Sequence, residues 1–233
     1  METILYTMLK RPYVVAFLAA YLVLGYRYFG GWRTGLWLVI GYGVAWLSEW
    51  SSIHTGFPYG LYHYIYENLH GELMLAGVPV WDSLSYVFLI FAGYTTAAFI
   101  QFPKSPHPLL GALLTMLLDV IIDPLAHLGN RWFLGEIYYY ASPGIYFNVP
   151  LSNFFGWFLV AFLVIALFQA LARPPLLPRP FWLYPAFYIS IALFNILLTF
   201  AIQEWALAFA SLGWLSLVVM AVVYRDRYGL TSV

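Results

Sequence analysis

Residues 108–126 read PLLGALLTMLLDVIIDPLA, an unbroken apolar segment that carries two aspartates near its end. A helix that crosses a bilayer needs about 20 mostly apolar residues, so this segment is long enough to span one. Charged side chains inside such a helix are costly and tend to face the interior of a helix bundle or a wet cavity. The segment therefore predicts a membrane helix that brings Asp119 and Asp123 into the protein interior.

The rest of the chain has the same apolar character. Of its 233 residues, 63% are hydrophobic and only 9% are charged, against about 25% charged residues in ordinary soluble proteins. The ten basic and ten acidic residues cancel, which argues against the basic face that a nucleic-acid-binding protein needs. The absence of cysteine excludes disulfides, thiolate nucleophiles and Cys-ligated zinc. The composition predicts a single integral membrane domain over residues 1–233.

Apolar segments predict an all-α polytopic membrane protein with about seven transmembrane helices. Two long loops, residues 51–79 and 127–151, are rich in Gly, Pro and Tyr and interrupt the series of helices. A span of about 20 residues for each helix uses most of the chain and leaves no room for a separate soluble domain. The predicted helices cover residues 12–28, 35–50, 80–100, 108–126, 152–172, 181–200 and 205–224.

Basic residues are shared unequally between the two ends of the predicted helices. One end carries Lys10, Arg11 and Arg131, and the other carries a larger group. Because cytoplasmic loops are enriched in Lys and Arg, we expect a multi-pass protein of the cell membrane with its N-terminus outside and its C-terminus in the cytoplasm. Both long loops then lie outside. The larger group comprises Arg27, Arg33, Lys104, Arg173, Arg179, Arg225 and Arg227.

The two long loops belong to similar stretches of sequence. Residues 78–82 read Val-Pro-Val-Trp-Asp, and residues 149–153 read Val-Pro-Leu-Ser-Asn. Glu49 precedes the first Val-Pro pair at almost the same spacing as Asp119 precedes the second. The pattern favours a parallel repeat of helix, aromatic loop, Val-Pro and helix. Repeats of this kind place binding sites at the interface between them.

Three carboxyl side chains in apolar helices are the candidate catalytic residues. Glu49 closes the predicted second helix, while Asp119 and Asp123 are four residues apart and share one helix face. Ionising both of two neighbouring carboxyl groups costs free energy, because their charges repel each other, so one of them keeps its proton. A general acid must be protonated in this way. The aspartates could instead bind Mg²⁺. Structural alternatives are a wetted interfacial glutamate and a helix stop at Asp123-Pro124.

Several residues near these carboxyl groups are candidates for binding a substrate. The histidines lack the spacing of a metal site on a helix, and we expect no metal or other cofactor. Tryptophans and tyrosines ordinarily form an interfacial belt, but beside carboxyl groups their ring faces can also stabilise a carbocation. The predicted substrate-binding residues are His54, Tyr59, Tyr62, His63, Trp81, Asp82, Asn153 and Trp157.

Short motifs over roughly residues 45–160 resemble the membrane-integral carotenoid 1,2-hydratases, which include the bisanhydrobacterioruberin hydratases. They are Glu49 followed by Thr-Gly-x-Pro-x-Gly-x-Tyr at 55–62, Gly-Val-Pro at 77–79, Asp-Pro at 123–124, and Val-Pro-x-x-Asn-Phe-x-Gly-Trp at 149–157. The resemblance implies cofactor-independent addition of water to the terminal C=C of an acyclic carotenoid, giving a tertiary alcohol. The implied partners are the carotenoid, water and membrane lipid, with no nucleic acid. The oligomeric state is not predicted.

Three other functions share part of this pattern. A carotene cyclase uses the same acid step but lets an internal alkene quench the cation. A prenyltransferase would use Asp119 and Asp123 to hold a Mg-diphosphate, although such enzymes typically carry two Asp-rich motifs and more basic phosphate contacts. A scaffold that binds carotenoid or lipid would catalyse nothing. Product mass analysis in a lycopene-producing cell separates the four.

Overall fold

A computed structural model describes residues 2–102, 104–176 and 181–228, most of which are helical. The described residues form eight α-helices, four short strands and one 3₁₀ turn. The helices are α1 (Glu2–Lys10), α2 (Pro12–Phe29), α3 (Gly31–Thr55), α4 (Val80–Gln101), α5 (Pro108–His127), α6 (Leu151–Ala172), α7 (Leu183–Ala201) and α8 (Trp205–Tyr228). The strands are β1 (Tyr62–Tyr64), β2 (Met74–Leu75), β3 (Val78–Pro79) and β4 (Tyr138–Tyr140).

The architecture is that of an all-α polytopic membrane protein, as predicted. Within the described part of the chain, six helices are long and apolar enough to cross a membrane, namely α2 and α4 to α8. The predicted span at 35–50 corresponds to α3, which has 25 residues but includes Arg33, Glu49 and His54 and is not among the six. α3 nevertheless packs against α2, α4 and α6, so it belongs to the same bundle.

Two local features were not predicted from the sequence, and a third excludes an alternative that the sequence left open. The first is α1, a short helix that exposes Ile4, Leu5 and Leu9 and is too short to span a bilayer. The second is the set of short strands in the long loops. The third is Asp123-Pro124, which does not stop α5. The helix continues to His127 with Pro124 inside it, because one proline removes only one donor from the helical ladder.

α4 lies at the centre of the bundle. In the most apolar stretch of α4, 83% of the residues are buried, against 33% in the corresponding stretches of α2 and α8. It packs against α2, α3, α5 and α7. Its contact with α5 is close because Gly93 has no side chain. A Cβ atom there would lie 2.3 Å from the Thr115 hydroxyl and 2.7 Å from the Gly111 carbonyl. Small residues of this kind let membrane helices approach each other.

The two long loops meet through an antiparallel strand pair, β1 with β4. Tyr62 pairs with Tyr140, His63 with Tyr139, and Tyr64 with Tyr138. The order helix, Tyr-rich strand, Val-Pro and helix therefore occurs twice, as the predicted repeat requires. Helix contacts follow the same symmetry, since α3 packs on α4 and α6 while α5 packs on α6 and α4. The strand pairing and the helix contacts of the two halves therefore correspond to each other.

The two groups of basic residues lie at opposite ends of the bundle. At the end with the long loops, Arg11 contacts Glu72 and the Leu134 carbonyl. At the other end, Arg33 donates to the carbonyl of Ala172, the last residue of α6. Arg225 there donates to the carbonyl of Phe102, and Arg179 and residues 229–233 lie outside the described residues. The separation agrees with the predicted grouping, while the orientation in the membrane stays a prediction.

Candidate active site

A cavity lies beneath the β1–β4 pair, and helices from both repeats enclose it. It contains about 790 Å³ of empty space, its mouth included, and four carboxyl side chains line it. Glu49 comes from α3, Asp82 from α4, and Asp119 and Asp123 from α5. Glu49 and Asp119 are almost fully buried, at 1% and 2% exposure. Among the described residues, no Lys or Arg lines this cavity, and the nearby Arg11 lies behind the ring of Trp81.

The first acid cluster joins Glu49 to Asp82. The Ser83 hydroxyl donates to Glu49 Oε2. The Tyr64 hydroxyl lies 3.2 Å from Glu49 Oε1 and 2.8 Å from Asp82 Oδ2, so it bridges the two carboxyl groups. All these donors are neutral hydroxyls. Because neighbouring carboxylates repel each other and burial disfavours charge, this pair is suited to hold a proton between its members.

The second acid cluster joins Asp119 to Asp123, which share one face of α5 as predicted. The Asn153 amide donates to both, at 2.7 Å to Asp119 Oδ2 and 3.2 Å to Asp123 Oδ2. Tyr138 donates to Asp123 Oδ1, and Tyr140 donates to Asp123 Oδ2 at 2.7 Å. Three donors thus converge on Asp123. Hydrogen bonds to the charged form favour it and burial opposes it, so of the two aspartates Asp123 is the better suited to carry the negative charge.

The tyrosines above the cavity stay protonated at neutral pH. Burial raises the pKa of Tyr64 well above its ordinary value of 10.0, and the neighbouring Asp82 and Glu49 charges raise it further. Burial likewise raises the pKa of Tyr138 and of Tyr140, and Asp123 adds to both shifts. These hydroxyls therefore act as hydrogen-bond donors to the carboxyl groups.

Aromatic rings form the other walls of the cavity. Tyr86 and Trp157 stack with ring centroids 3.8 Å apart and planes only 2° from parallel. Tyr59 packs beside them, 6.4 Å from Trp157, and its hydroxyl lies 2.8 Å from that of Ser48. Gly156 allows this arrangement, since a Cβ atom there would lie 2.4 Å from the Tyr59 ring. The cavity thus presents π faces close to carboxyl groups, a combination suited to a cationic intermediate.

The structure brings most of the predicted site residues together. His54 and His63 are the exceptions, because both are exposed and line a separate surface pocket with Tyr66. Their predicted roles would have to be exerted from outside the cavity. The predicted residues that line the cavity are Glu49, Tyr59, Tyr62, Trp81, Asp82, Asp119, Asp123, Asn153 and Trp157.

Five of the residues that contact the carboxyl groups or form the aromatic wall were not predicted from the sequence. Tyr64, Tyr138 and Tyr140 had a usable signal, because Tyr-x-Tyr alternation is typical of a strand with one buried face. Ser83 and Tyr86 carry no comparable signal; they lie within one helical turn after Asp82. Among the described residues, no three His, Asp or Glu side chains form a group that could hold a metal ion.

The chain matches the family model described as "Carotenoid biosynthesis protein" over residues 10–222. The chain belongs to this family. The match runs from the end of α1 into α8 and includes every cavity residue named above. It confirms the predicted resemblance at the level of the family and gives the protein a role in carotenoid biosynthesis. No curated protein and no solved structure matches the chain significantly.

Proposed function

We propose that the protein adds water across the terminal double bond of an acyclic carotenoid end group and forms a tertiary alcohol. One observation carries the proposal: a single cavity combines four carboxyl side chains with stacked aromatic rings. Family membership supports the substrate class. The reaction needs only an acid, a base, water and a surface that tolerates a cation, so no cofactor is required.

Glu49 is the proposed acid. It is buried beside Asp82, and the neutral hydroxyls of Tyr64 and Ser83 hold its two oxygens. Its carboxyl proton transfers to the hydrogen-bearing carbon of the terminal alkene. The π electron pair forms the new C–H bond and leaves a tertiary cation at the dimethyl carbon. A neutral carboxylic acid in a low-dielectric site is suited to this step.

The aromatic walls and Asp123 stabilise the cation in this proposal. The faces of Tyr86 and Trp157 carry negative quadrupole density that attracts a cation. Asp123 is held as a carboxylate by three donors that are already in place. Such preorganised charge acts most strongly on charge that develops during the reaction.

Water completes the proposed reaction from the side of the second acid cluster. A lone pair of the water oxygen forms the C–O bond at the cationic carbon, and the Asp119–Asp123 pair accepts the released proton. The net change is addition of H and OH, with no oxidation or reduction. One proton has moved from Glu49 to the aspartate pair, and its return through water resets the site.

Expression in a lycopene-producing cell, followed by mass analysis of the carotenoids, tests the function. We expect a product heavier by one water, and no such product from a Glu49→Gln variant. A product of unchanged mass would contradict hydration and support cyclisation. Addition of a prenyl group, or retention of unchanged carotenoid, would contradict it in favour of a transferase or a scaffold.

Metal dependence gives a second test of the same mechanism. Purified protein in a metal chelator is expected to keep its activity, because protonation by a carboxylic acid needs no cation. Activity lost in chelator and restored by Mg²⁺ would contradict the mechanism, since a metal site needs both aspartates ionised. A mock-treated sample of the same preparation is the control.

A further inference from the structure

An apolar groove runs along the surface of the bundle between α2 and α7. It contains about 860 Å³ of empty space, the space at its open side included. Ala19, Ala20 and Leu24 form its α2 wall, and Ala186 and Phe187 belong to its α7 wall. The alanines provide the space, because larger side chains at these positions would fill it. We refer to it as the α2–α7 groove.

The groove exists because α2 and α7 do not pack closely on each other. Each packs against α4, and the residues that line the groove all belong to α2 and α7. Aromatic rings bridge the gap instead. Phe17 of α2 lies 5.7 Å from Phe194 and 6.2 Å from Phe187 of α7, and 5.7 Å from Phe88 of α4. Side chains, rather than backbone contacts, therefore close this part of the bundle.

The acid cavity and the α2–α7 groove lie at successive positions along the same two helices, and the rings of Phe17 and Phe194 lie between them. Tyr13 of α2 and Asn195 of α7 both line the cavity. The Tyr13 ring stacks on Phe194, with centroids 5.7 Å apart. On α2, residues 13, 17, 20 and 24 follow the spacing of one helix face. At 1.5 Å per residue the path from Tyr13 to Leu24 is roughly 16 Å long.

We propose that the α2–α7 groove binds the conjugated chain of the carotenoid whose end group occupies the acid cavity. The inference rests on the proposed function for the identity of that end group. A conjugated chain is a rigid apolar rod, and the cavity has room for only one end of it, so the rest must leave between helices. Here the rod would lie between α2 and α7, against Ala20, Ala186 and Phe187, and the open side of the groove would face the hydrocarbon core.

A second apolar pocket also borders the cavity, but its connection is closed. It lies between α1, α2 and α4 and shares Trp81 with the cavity. The Arg11 guanidinium lies 4.4 Å from the Trp81 ring. Arg11 is itself fixed by two hydrogen bonds to Glu72, at 2.7 and 3.0 Å, and by one to the Leu134 carbonyl at 2.6 Å. A carotenoid that passed through this pocket would break the buried Arg11–Glu72 ion pair. A carotenoid that passed along the α2–α7 groove would displace only aromatic rings.

Filling the groove tests the inference. In Ala20→Phe, a ring replaces the methyl group on the α2 wall, and Ala186→Phe does the same from the α7 wall. Ala170→Phe, at an exposed position on α6 outside the groove, is the matched control. Each full-length variant, purified in lipid nanodiscs, is assayed with lycopene and with geraniol, a short terpene that carries the same terminal double bond. Co-purified lycopene is measured by absorbance.

The expected result is a selective effect on the long substrate. Ala20→Phe should raise the KM for lycopene by about tenfold or more and reduce retained lycopene, while geraniol conversion stays within about twofold of the wild type. Equal effects on both substrates, or none, would overturn the inference. If Ala20→Phe does not fold, Ala186→Phe decides by the same criteria. If the wild type converts neither substrate, the proposed function fails, and retained lycopene alone then decides for or against the groove.

Discussion

At the scale of single residues, the two halves of the site differ at one equivalent position. Asp82 follows the first Val-Pro pair by three residues, and Asn153 follows the second by three. In the first half the side chain is a carboxyl group that adjoins Glu49. In the second it is an amide that donates to both aspartates. This exchange of acid for amide suits one cluster to give a proton and the other to hold negative charge.

Neutral isosteres of the carboxyl groups test these roles. Glu49→Gln and Asp123→Asn keep side-chain size but remove the proton donor and the fixed charge, respectively. We expect each to lower kcat by roughly 10²–10⁴-fold, the usual contribution of a general acid or base. The exposed Glu67→Gln is a matched control that should leave the rate unchanged. Near-normal rates in both well-folded variants would exclude these two residues as the catalytic acid and charge.

The carboxyl groups of the site and the Asn153 amide could be predicted from the sequence, whereas the pairing of tyrosines with particular carboxyl groups could not. Glu49, Asp119 and Asp123 interrupt apolar helices. An ionisable residue in such a helix costs free energy to bury, so its presence indicates a function. Tyr64 and Tyr138 lie in loops full of tyrosine, and their hydroxyls reach the carboxyl groups only after the two loops pair. Which tyrosine points inward depends on strand register, and helical periodicity carries no information about it.

At the scale of secondary-structure elements, the β1–β4 pair sorts side chains between two surfaces. In each three-residue strand the first and third residues are buried and the middle residue is exposed. Successive side chains of a strand point to opposite faces, so this alternation follows from backbone geometry. The inward tyrosines cover the cavity, and His63 and Tyr139 face outward.

Adjacent tyrosines of β4 give a test within one strand. Tyr138→Phe removes the hydroxyl that donates to Asp123 and leaves a buried carboxylate short of a donor. We expect a loss of about 1.5–3 kcal/mol in the free energy of unfolding, the range for hydrogen bonds to charged groups, together with lower activity. Tyr139→Phe, one residue away but exposed, should change neither quantity. Equal thermal unfolding and activity in both variants would contradict the assigned register.

The buried Arg11–Glu72 pair predicts how stability depends on pH. Burial raises the pKa of Glu72, but hydrogen bonds and charge from Arg11 and Lys10 outweigh it and lower that pKa below the ordinary 4.5. The stabilisation is therefore complete above about pH 4.5 and is lost as the pH falls through the lower folded-state value. Glu72→Gln, which leaves Arg11 buried and unpaired, should cost about 3–5 kcal/mol at neutral pH and less in acid.

The Arg131–Glu204 pair is the control for that experiment. Both its side chains are partly exposed, at 40% and 32%, and exposed ion pairs contribute about 0–1 kcal/mol. Glu204→Gln should therefore barely change the unfolding midpoint at any pH. A difference between wild type and Glu72→Gln that stayed constant from pH 7 to pH 3 would show that Glu72 does not titrate as described.

At the scale of the whole molecule, the sequence predicted the membrane class and the order of the helices, because both follow from apolar segment lengths. It did not predict the central position of α4 or the α2–α7 groove. Apolar residues that face lipid and apolar residues that face protein are chemically alike, so the sequence does not separate them. Phe17 and Phe88 meet because α2 packs on α4, a helix pairing that the sequence does not specify.

Reporter fusions test the predicted orientation of the whole bundle. The basic residues at the end opposite the long loops predict that this end is cytoplasmic. A reporter fused after Val233 should be active in the cytoplasm, and one inserted within residues 130–145 should be active only outside. A cytoplasmic signal from the insertion would reverse the orientation and place both long loops inside the cell.

The pairing of β1 with β4 also constrains biosynthesis on the ribosome. Two membrane helices, α4 and α5, separate the strands, so β1 waits for its partner until both have entered the bilayer. During that interval β4 does not yet cover Glu49 and Asp82, and Asp123 lacks its hydrogen-bond donors Tyr138 and Tyr140. A nascent chain arrested between α5 and β4 would present open carboxyl groups to lipid. The site is complete only after α6 follows β4, because Asn153 supplies the amide that donates to both aspartates.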